Sequence, residues 1–150
     1  MLVSRGQRAS LPNSKKNNER KKQTASLKVA CWNIHTIQDT EDRLQRRSAL
    51  VAKELARLDI DTAALSEACF PEQGSLTEDG AGYTLFWSGK NKDESRLSGV
   101  GFMFKTSIAR KLPNLPIDHS DRLLFQRLPI QDNKFATVLS VYAPTLQADI

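Results

Sequence analysis

Three polar side chains follow apolar segments of the sequence and could together perform phosphate-ester chemistry. Asn33 follows the first apolar run, Glu67 follows the second, and Tyr142 lies near the end of the last one. A carboxylate suits Mg²⁺, which takes few protein carboxylates and keeps positions for water and phosphate oxygens. A carboxamide can orient that carboxylate or a phosphate oxygen, and a phenol can donate a hydrogen bond toward developing negative charge. Asn33, Glu67 and Tyr142 are therefore the candidate catalytic residues.

Each of these residues also has a plainer interpretation. A glutamate at the end of a strand is often a solvated or capping group, an asparagine there commonly forms a turn, and a tyrosine in a strand is usually half-buried core. Taken singly, the three residue types leave both interpretations open. Their joint placement at the ends of strands adds only modest support to the functional one.

A strand–helix–strand unit is the element that would bring the first two of these side chains together. Residues 27–32 and 61–66 are short apolar runs typical of buried strands. Between them, Asp39 or Thr40 can cap a helix. Its apolar residues follow at helical spacing: Leu44, Val51, Leu55 and Leu58. Such a unit predicts two parallel strands, and open α/β sheets bind ligands at the carboxyl edge of their strands.

The rest of the sequence predicts a mixed sheet with helices outside it. Residues 71–82 are predicted to form a turn-rich loop, and residues 106–111 a single helical turn. Strands are predicted at 83–88, 99–105, 122–128 and 135–142, with a polar turn at 131–134. If the last strand runs in the same direction as the first two, Tyr142 also reaches the edge where Asn33 and Glu67 lie.

Charge divides the chain into a basic tail and a nearly neutral body. The net charge is +5, but residues 1–26 hold seven basic side chains and one acidic, so residues 27–150 carry a net charge of −1. The tail has few large apolar groups and is predicted to be disordered. Its basic clusters could serve nuclear import or bind phosphates, or could simply keep the tail solvated. The body lacks the basic footprint of a nucleic-acid-binding surface.

Composition favours an intracellular protein that does not cross a membrane. No apolar run approaches the roughly 18 residues that a membrane span needs, and we expect no secretory signal. The two cysteines, Cys31 and Cys69, do not suggest a disulfide framework, so a disulfide-linked partner is not expected. Together with His35 and His119 they are zinc-ligand types, but they lack paired spacing, which disfavours zinc.

Four short motifs, in one order along the chain, resemble those of a known family. They are Cys31-Trp32-Asn33-Ile34, Leu65-Ser66-Glu67, Ser98-Gly99-Val100-Gly101-Phe102 and Val141-Tyr142-Ala143-Pro144-Thr145. Together they resemble the endonuclease/exonuclease/phosphatase family. Residues 47–55 and 81–87 are similar in particular to the apurinic-type endonuclease domains of LINE-type retrotransposons and to craniofacial development protein 2-like proteins.

The resemblance implies a four-layered α/β sandwich that cleaves DNA phosphodiesters with Mg²⁺ or Mn²⁺. Asn33 then matches the family's active-site Asn, Glu67 its metal-binding Glu, and Tyr142 the Tyr that contacts the scissile phosphate, so Glu67 and Asn33 are the expected metal ligands. The chain departs from the subgroup at Ala68-Cys69, where Thr-Arg is usual, and at His35, where some relatives have an acid.

The family's Asp-x-Asn and Asp-His pairs, expected after the tyrosine, do not occur by residue 150. Residues 27–150 are therefore expected to form the N-terminal portion of the domain, truncated at the C-terminus and inactive alone. A truncated sandwich should leave apolar side chains facing water at Val100, Phe102, Leu139 and Val141. The alternatives are a non-catalytic remnant that binds nucleic acid or a partner, and a phosphomonoesterase of the same fold.

Overall fold

A computed structural model of the protein describes residues 26–34, 44–91, 93 and 98–144. Its helices and strands are β1 (Val29–Asn33), α1 (Leu44–Arg57), β2 (Thr62–Ser66), β3 (Gln73–Glu78), β4 (Tyr83–Ser88), β5 (Val100–Lys105), α2 (Thr106–Ala109), β6 (Ile117–Ser120), β7 (Leu123–Pro129) and β8 (Phe135–Val141). The predicted tail up to residue 25, the caps Asp39 and Thr40, and His35 lie outside the described residues.

A five-stranded sheet carries the predicted strand–helix–strand unit. Its strand order is β1-β2-β5-β4-β3. β1 and β2 are parallel, with Asn33 opposite Ser66, while β5, β4 and β3 pair antiparallel. The parallel pair and the mixed sheet are confirmed, because the helical crossover returns the chain to the same end of the sheet.

Helix α1 covers one face of this sheet through its apolar stripe. Val51 and Leu55, one helical turn apart, are buried in one apolar cluster with Leu65 of β2. Leu58, expected on the same stripe, is 48% exposed, because the helix ends at Arg57. In the part of the chain that the structure describes, no helix is long and apolar enough to cross a membrane.

A three-stranded antiparallel sheet covers the other face of the first sheet. It has the order β6-β7-β8 and packs on β2 and β5. Phe102 and Phe104 of β5 share one buried cluster with Leu128 of β7. A buried hydrogen bond from Ser140 Oγ to the Leu65 carbonyl oxygen, at 3.2 Å, joins β8 to β2. The structure is therefore a mixed α/β sandwich, which confirms the expected fold class.

Two strands lie where none was predicted. β3 occupies residues 73–78 of the expected turn-rich loop, and β6 occupies residues 117–120. Both are edge strands that expose many of their residues, so their sequences lack apolar runs. They form because a neighbouring strand offers backbone hydrogen-bonding partners. Gly74 of β3 leaves room for the ring of Trp87 on β4, since a Cβ at Gly74 would lie 2.3 Å from that ring.

The prediction that the inner-face residues of β5 would be exposed to water is wrong. Val100 and Phe102 are fully buried, because the second sheet covers them. Leu139 and Val141 are 55% and 62% exposed, but on the outer face of β8. Successive side chains of a strand point to opposite faces, so Ser140 turns inward and its two neighbours turn outward.

Two lysines and two aspartates form an ionic cluster at the edge opposite the carboxyl ends of β1 and β2. Lys105 Nζ lies 2.7 Å from Asp59 Oδ1 and 2.8 Å from Asp61 Oδ1, and Lys28 Nζ lies 2.6 Å from Asp59 Oδ2. Hydrogen bonds from Lys105 and Lys28 lower the pKa of Asp59 to about 2. Burial alone would raise the pKa of Asp61, but hydrogen bonds from Lys105 and the Lys28 backbone outweigh it and lower that pKa.

Candidate active site

Asn33 and Glu67 lie side by side at the carboxyl edge of the two parallel strands. Asn33 is the last residue of β1, and Glu67 directly follows β2. Asn33 Nδ2 donates a hydrogen bond to Glu67 Oε1 at 3.1 Å. The adjacency follows from the parallel register, because neighbouring parallel strands that end at the same level present their next side chains together.

Tyr142 joins this pair from the second sheet. Its hydroxyl donates to the same oxygen, Glu67 Oε1, at 2.9 Å. The bond from Ser140 to Leu65 lies two residues earlier on both strands, so β8 runs in the same direction as β2. Tyr142 was expected to reach the edge of Asn33 and Glu67 only if the last strand ran in the same direction as the first two, and this condition is met. Two neutral donors, one from each sheet, thus meet on one carboxylate oxygen.

The chain bends sharply after β2 to present Glu67. Glu67 and Cys69 have left-handed backbone conformations, with φ of 54° and 56°, which are unfavourable for non-glycine residues. Gly99 supports the bend, because its carbonyl oxygen accepts a hydrogen bond from the Ala68 N–H at 3.1 Å. Gly99 itself has φ 127°, and a Cβ there would lie 3.2 Å from the Cys69 nitrogen. A glycine at this position therefore allows the close approach that holds the bend.

The turn between β6 and β7 borders the same edge. Ser98, just before β5, donates a hydrogen bond to Asp121 Oδ2 and so ties this turn to the first sheet. Arg122 comes next, and its carbonyl oxygen accepts a hydrogen bond from the Tyr142 N–H at 2.9 Å. The guanidinium carbon of Arg122 lies 5.3 Å from the centroid of the Tyr142 ring. A cation is therefore placed beside the phenol of the candidate site.

The environment of Tyr142 keeps its phenol protonated at neutral pH. The hydrogen bond to Glu67 raises the pKa of Tyr142, and burial and the charge of Glu67 act in the same direction. The charge of Arg122 acts in the opposite direction, toward a lower pKa. The net effect is a higher pKa, so the hydroxyl is a hydrogen-bond donor under physiological conditions.

Sequence reasoning missed Arg122 and Ser98 as functional candidates. A signal for Arg122 was present in the predicted hairpin, since a turn at 131–134 places residue 122 opposite residue 142. The structure has this register, with Leu123 opposite Val141. Ser98 carried no comparable signal, because its partner Asp121 lies in the unpredicted turn after β6.

The donor atoms around Glu67 suit a hard divalent cation. Carboxylate and carboxamide oxygens are the ligand types that Mg²⁺ takes, and Mg²⁺ needs few of them because it keeps several waters. Cys69 is a half-buried free thiol and Cys31 an exposed one. Within residues 26–34, 44–91, 93 and 98–144, no three His, Cys, Asp or Glu side chains are grouped closely enough to hold a metal. Glu67 and Asn33 are thus the residues at this edge that fit such a cation.

Comparisons with known proteins relate the fold to one solved catalytic domain. No protein-family model matches the sequence, and no curated protein matches it. Among solved structures, the APE2 catalytic domain from Xenopus laevis matches with a TM-score of 0.52 and 20% sequence identity, over 79% of this chain and 46% of that one. The AP endonuclease LMAP from Leishmania major matches with a TM-score of 0.46 and 16% identity, over 76% and 38%. The second similarity is too low to support an argument.

The chain spans less than half the length of the solved structures that it matches. At 20% identity, the likeness to the Xenopus laevis domain concerns the fold alone. The chain shares the α/β sandwich fold of part of the APE2 catalytic domain from Xenopus laevis.

Proposed function

We propose that this chain carries the metal- and phosphate-binding part of a Mg²⁺- or Mn²⁺-dependent phosphodiesterase that acts on DNA. The observation that supports this most directly is the convergence of Asn33 and Tyr142 on Glu67 Oε1. A carboxylate oriented by a carboxamide suits a hard cation, and a neighbouring phenol suits a phosphate oxygen. DNA as the substrate is inferred from the motifs around these residues and from the kind of domain whose fold the chain shares.

Each of the three residues has a distinct role in this proposal. Glu67 and Asn33 would hold the cation, which when bound would supply positive charge against the phosphate oxygens of the scissile ester. Asn33 Nδ2 fixes the orientation of the carboxylate. Tyr142 is protonated at neutral pH and can donate toward negative charge that develops on a phosphate oxygen.

We further propose that these groups bind a phosphodiester without hydrolysing it by themselves. A carboxamide does not titrate, and a phenol with a raised pKa is a poor base at neutral pH. Activation of water would need a base from outside these three residues. A protein that binds nucleic acid without cleaving it is the second candidate, and the same observation favours it.

We extend the proposal to the origin of the protein and to its location in the cell. The runs at 47–55 and 81–87 support an endonuclease of a LINE-type retrotransposon or a domesticated copy of one. The free cysteines support an intracellular protein, and the basic residues 1–26 support access to the nucleus.

Manganese binding to the chain tests the metal site. Glu67→Gln removes the negative charge but keeps the size of the side chain, so specific Mn²⁺ binding, measured by electron paramagnetic resonance, should be lost. Asn33→Ala removes the supporting donor and should weaken binding about 10- to 100-fold. Asp79→Asn is the control, because Asp79 is an exposed carboxylate in the turn after β3, at the opposite edge of the sheet. Equal Mn²⁺ binding by the parent and Glu67→Gln would contradict the proposal.

Cleavage of DNA that contains an abasic site tests the catalytic part. The chain alone should show no Mg²⁺-dependent nicking, for want of a base that activates water. Nicking that depends on Mg²⁺ and disappears in Glu67→Ala would refute the binding-only part and support an active nuclease instead.

A further inference from the structure

Arg122 is a charged residue at the edge of the candidate site, and one of its guanidinium nitrogens lacks a hydrogen-bond partner in the described part of the chain. The side chain is partly buried. Its Nη1 is fully buried and has no hydrogen-bond partner in the described part of the chain. A buried donor without a partner is unfavourable, and an uncharged side chain of similar length would fill the same space without that penalty. The charge at position 122 therefore calls for a reason other than packing.

The backbone fixes Arg122 relative to Tyr142. The Arg122 N–H donates to Ser120 Oγ at 3.2 Å, and the Arg122 carbonyl oxygen accepts from the Tyr142 N–H at 2.9 Å. The intervening Asp121 is held by Ser98, just before β5. These contacts set Arg122 just before β7 and Tyr142 just after β8, so the two side chains are neighbours because of the fold.

The charged guanidinium of Arg122 lies beside the aromatic ring of Tyr142. The guanidinium carbon lies 5.3 Å from the ring centroid, within the range at which a cation is attracted to the face of an aromatic ring. Arg122 thus bears on the position of the hydroxyl that meets Glu67.

We propose that Arg122 is a positioning residue of the candidate site: it holds the Tyr142 ring so that the hydroxyl meets Glu67 and can donate to a phosphodiester oxygen. This inference rests on the proposed function of Tyr142. Arg122 acts through Tyr142, because its guanidinium lies beside the Tyr142 ring.

Solution NMR at a fixed neutral pH tests the positioning without any activity assay. The chain has two tyrosines, so a sample with ¹³C-labelled tyrosine gives two Cζ signals, and Tyr142→Phe identifies the one that belongs to Tyr142. The position of this signal reports the hydrogen bond of the hydroxyl, and it is recorded in Arg122→Met and Arg122→Lys as well. We expect the signal to move in Arg122→Met, which loses the cation beside the ring, and to stay close to the parent position in Arg122→Lys, which keeps it. Arg122→Gln replaces Arg122→Met if circular dichroism shows that the latter is not folded.

Binding of a phosphorothioate-linked dinucleotide in the presence of Mn²⁺ tests the role in the site. Arg122→Met and Tyr142→Phe should each weaken this binding about tenfold, as the loss of a hydrogen bond to a charged group does. The double variant should bind no more weakly than Tyr142→Phe alone, because Arg122 acts through Tyr142. Mn²⁺ affinity is measured separately for each variant, and dinucleotide affinities are compared at saturating Mn²⁺.

The outcomes separate this inference from the proposed function. An unchanged Cζ signal of Tyr142 in Arg122→Met overturns the role of Arg122, whatever the dinucleotide does. Additive losses in the double variant also overturn it, because Arg122 would then act independently of Tyr142. Dinucleotide binding that is the same in Tyr142→Phe and the parent overturns the proposed function, and with it the phosphate role of both residues.

Discussion

Glu67 combines an unfavourable backbone conformation with a side chain that two donors engage. Its φ of 54° lies in the left-handed region, and Asn33 and Tyr142 both donate to its Oε1. Such backbone strain persists only where the surroundings over-determine it, and it concentrates at functional sites. Gly99 is part of those surroundings, since its carbonyl oxygen anchors the residue after Glu67. The carboxylate is thus held in place before any ligand binds.

Gly99→Ala should disturb this arrangement. Alanine at φ 127° is strained, and its Cβ would press on the backbone nitrogen of Cys69, so we expect a loss of about 1–3 kcal/mol in the free energy of unfolding. Displacement of the bend should also weaken Mn²⁺ binding. Gly82→Ala is the control: it has φ 74° but open space around the new Cβ, and it lies at the opposite edge of the sheet. It should lose stability in urea unfolding and bind Mn²⁺ like the parent. Parent-like Mn²⁺ binding by a folded Gly99→Ala protein would count against the anchoring role.

At the scale of elements, β1, β2 and β5 are tied together at the edge away from the site. Asp61 accepts hydrogen bonds from the Lys28 N–H before β1 and from Lys105 Nζ at the end of β5. Asp59, in the connection from α1 to β2, is bound by both lysines. The site at the other end of β1 and β2 depends on the same parallel register that these bonds stabilise.

The pH dependence of stability should report this ionic cluster. The pKa of Asp59 is lowered from 3.8 to about 2, so its carboxylate stabilises the fold above about pH 4 and this contribution is lost as the pH falls toward 2. Asp59→Asn should be less stable than the parent near neutral pH and should lose less stability between about pH 4 and pH 2. Asparagine tolerates the φ of 53° at this position, so the change isolates the charge. The measurement is the urea midpoint as a function of pH, with Asp79→Asn as the control. An identical pH profile for Asp59→Asn and the parent would refute the assignment.

At the scale of the whole molecule, the sandwich buries its centre but leaves apolar side chains exposed at two of its edge strands. The inner face of β5 is buried, but β1 ends the five-stranded sheet and exposes Val29, which is 52% accessible, on the side of the second sheet. β8 ends the three-stranded sheet and exposes Leu139 and Val141 on its outer face. A groove of about 550 Å³ lies between Ser26 and the turn after β7. Open strand edges beside exposed apolar side chains promote association.

We expect residues 27–150 to self-associate through these surfaces. Leu139→Lys combined with Val141→Lys places charge on the β8 edge and should lower the sedimentation coefficient at high protein concentration toward that of a monomer. Leu50→Lys is the control, because Leu50 is exposed on α1, away from both edges, and should not change association. A parent chain that stays monomeric at every concentration would contradict this expectation.

The local sequence determined the β1–α1–β2 unit and, with it, the pairing of Asn33 with Glu67 in the candidate site. The apolar runs at β1 and β2, with a helical pattern between them, suffice to predict a parallel pair, because a crossover of this kind is almost always right-handed and returns the chain to the same edge. The adjacency of Asn33 and Glu67 follows from that rule without knowledge of other contacts. β3 escaped prediction, because an edge strand is stabilised by pairing with β4 and not by its own apolar pattern.

Only the tertiary structure decided how Tyr142 and Arg122 join the site. Tyr142 lies 75 residues from Glu67, and its approach depends on how the second sheet packs on the first. That packing is set by the cluster around Phe102 and Leu128 and by the bond from Ser140 to Leu65, all of them contacts between segments distant in sequence. A strand's alternation predicts which side chains share a face, but it does not reveal which of the two faces meets the other sheet. That choice buried Val100 and turned Val141 outward, because the free energy of burial belongs to the two sheets together and to neither strand alone.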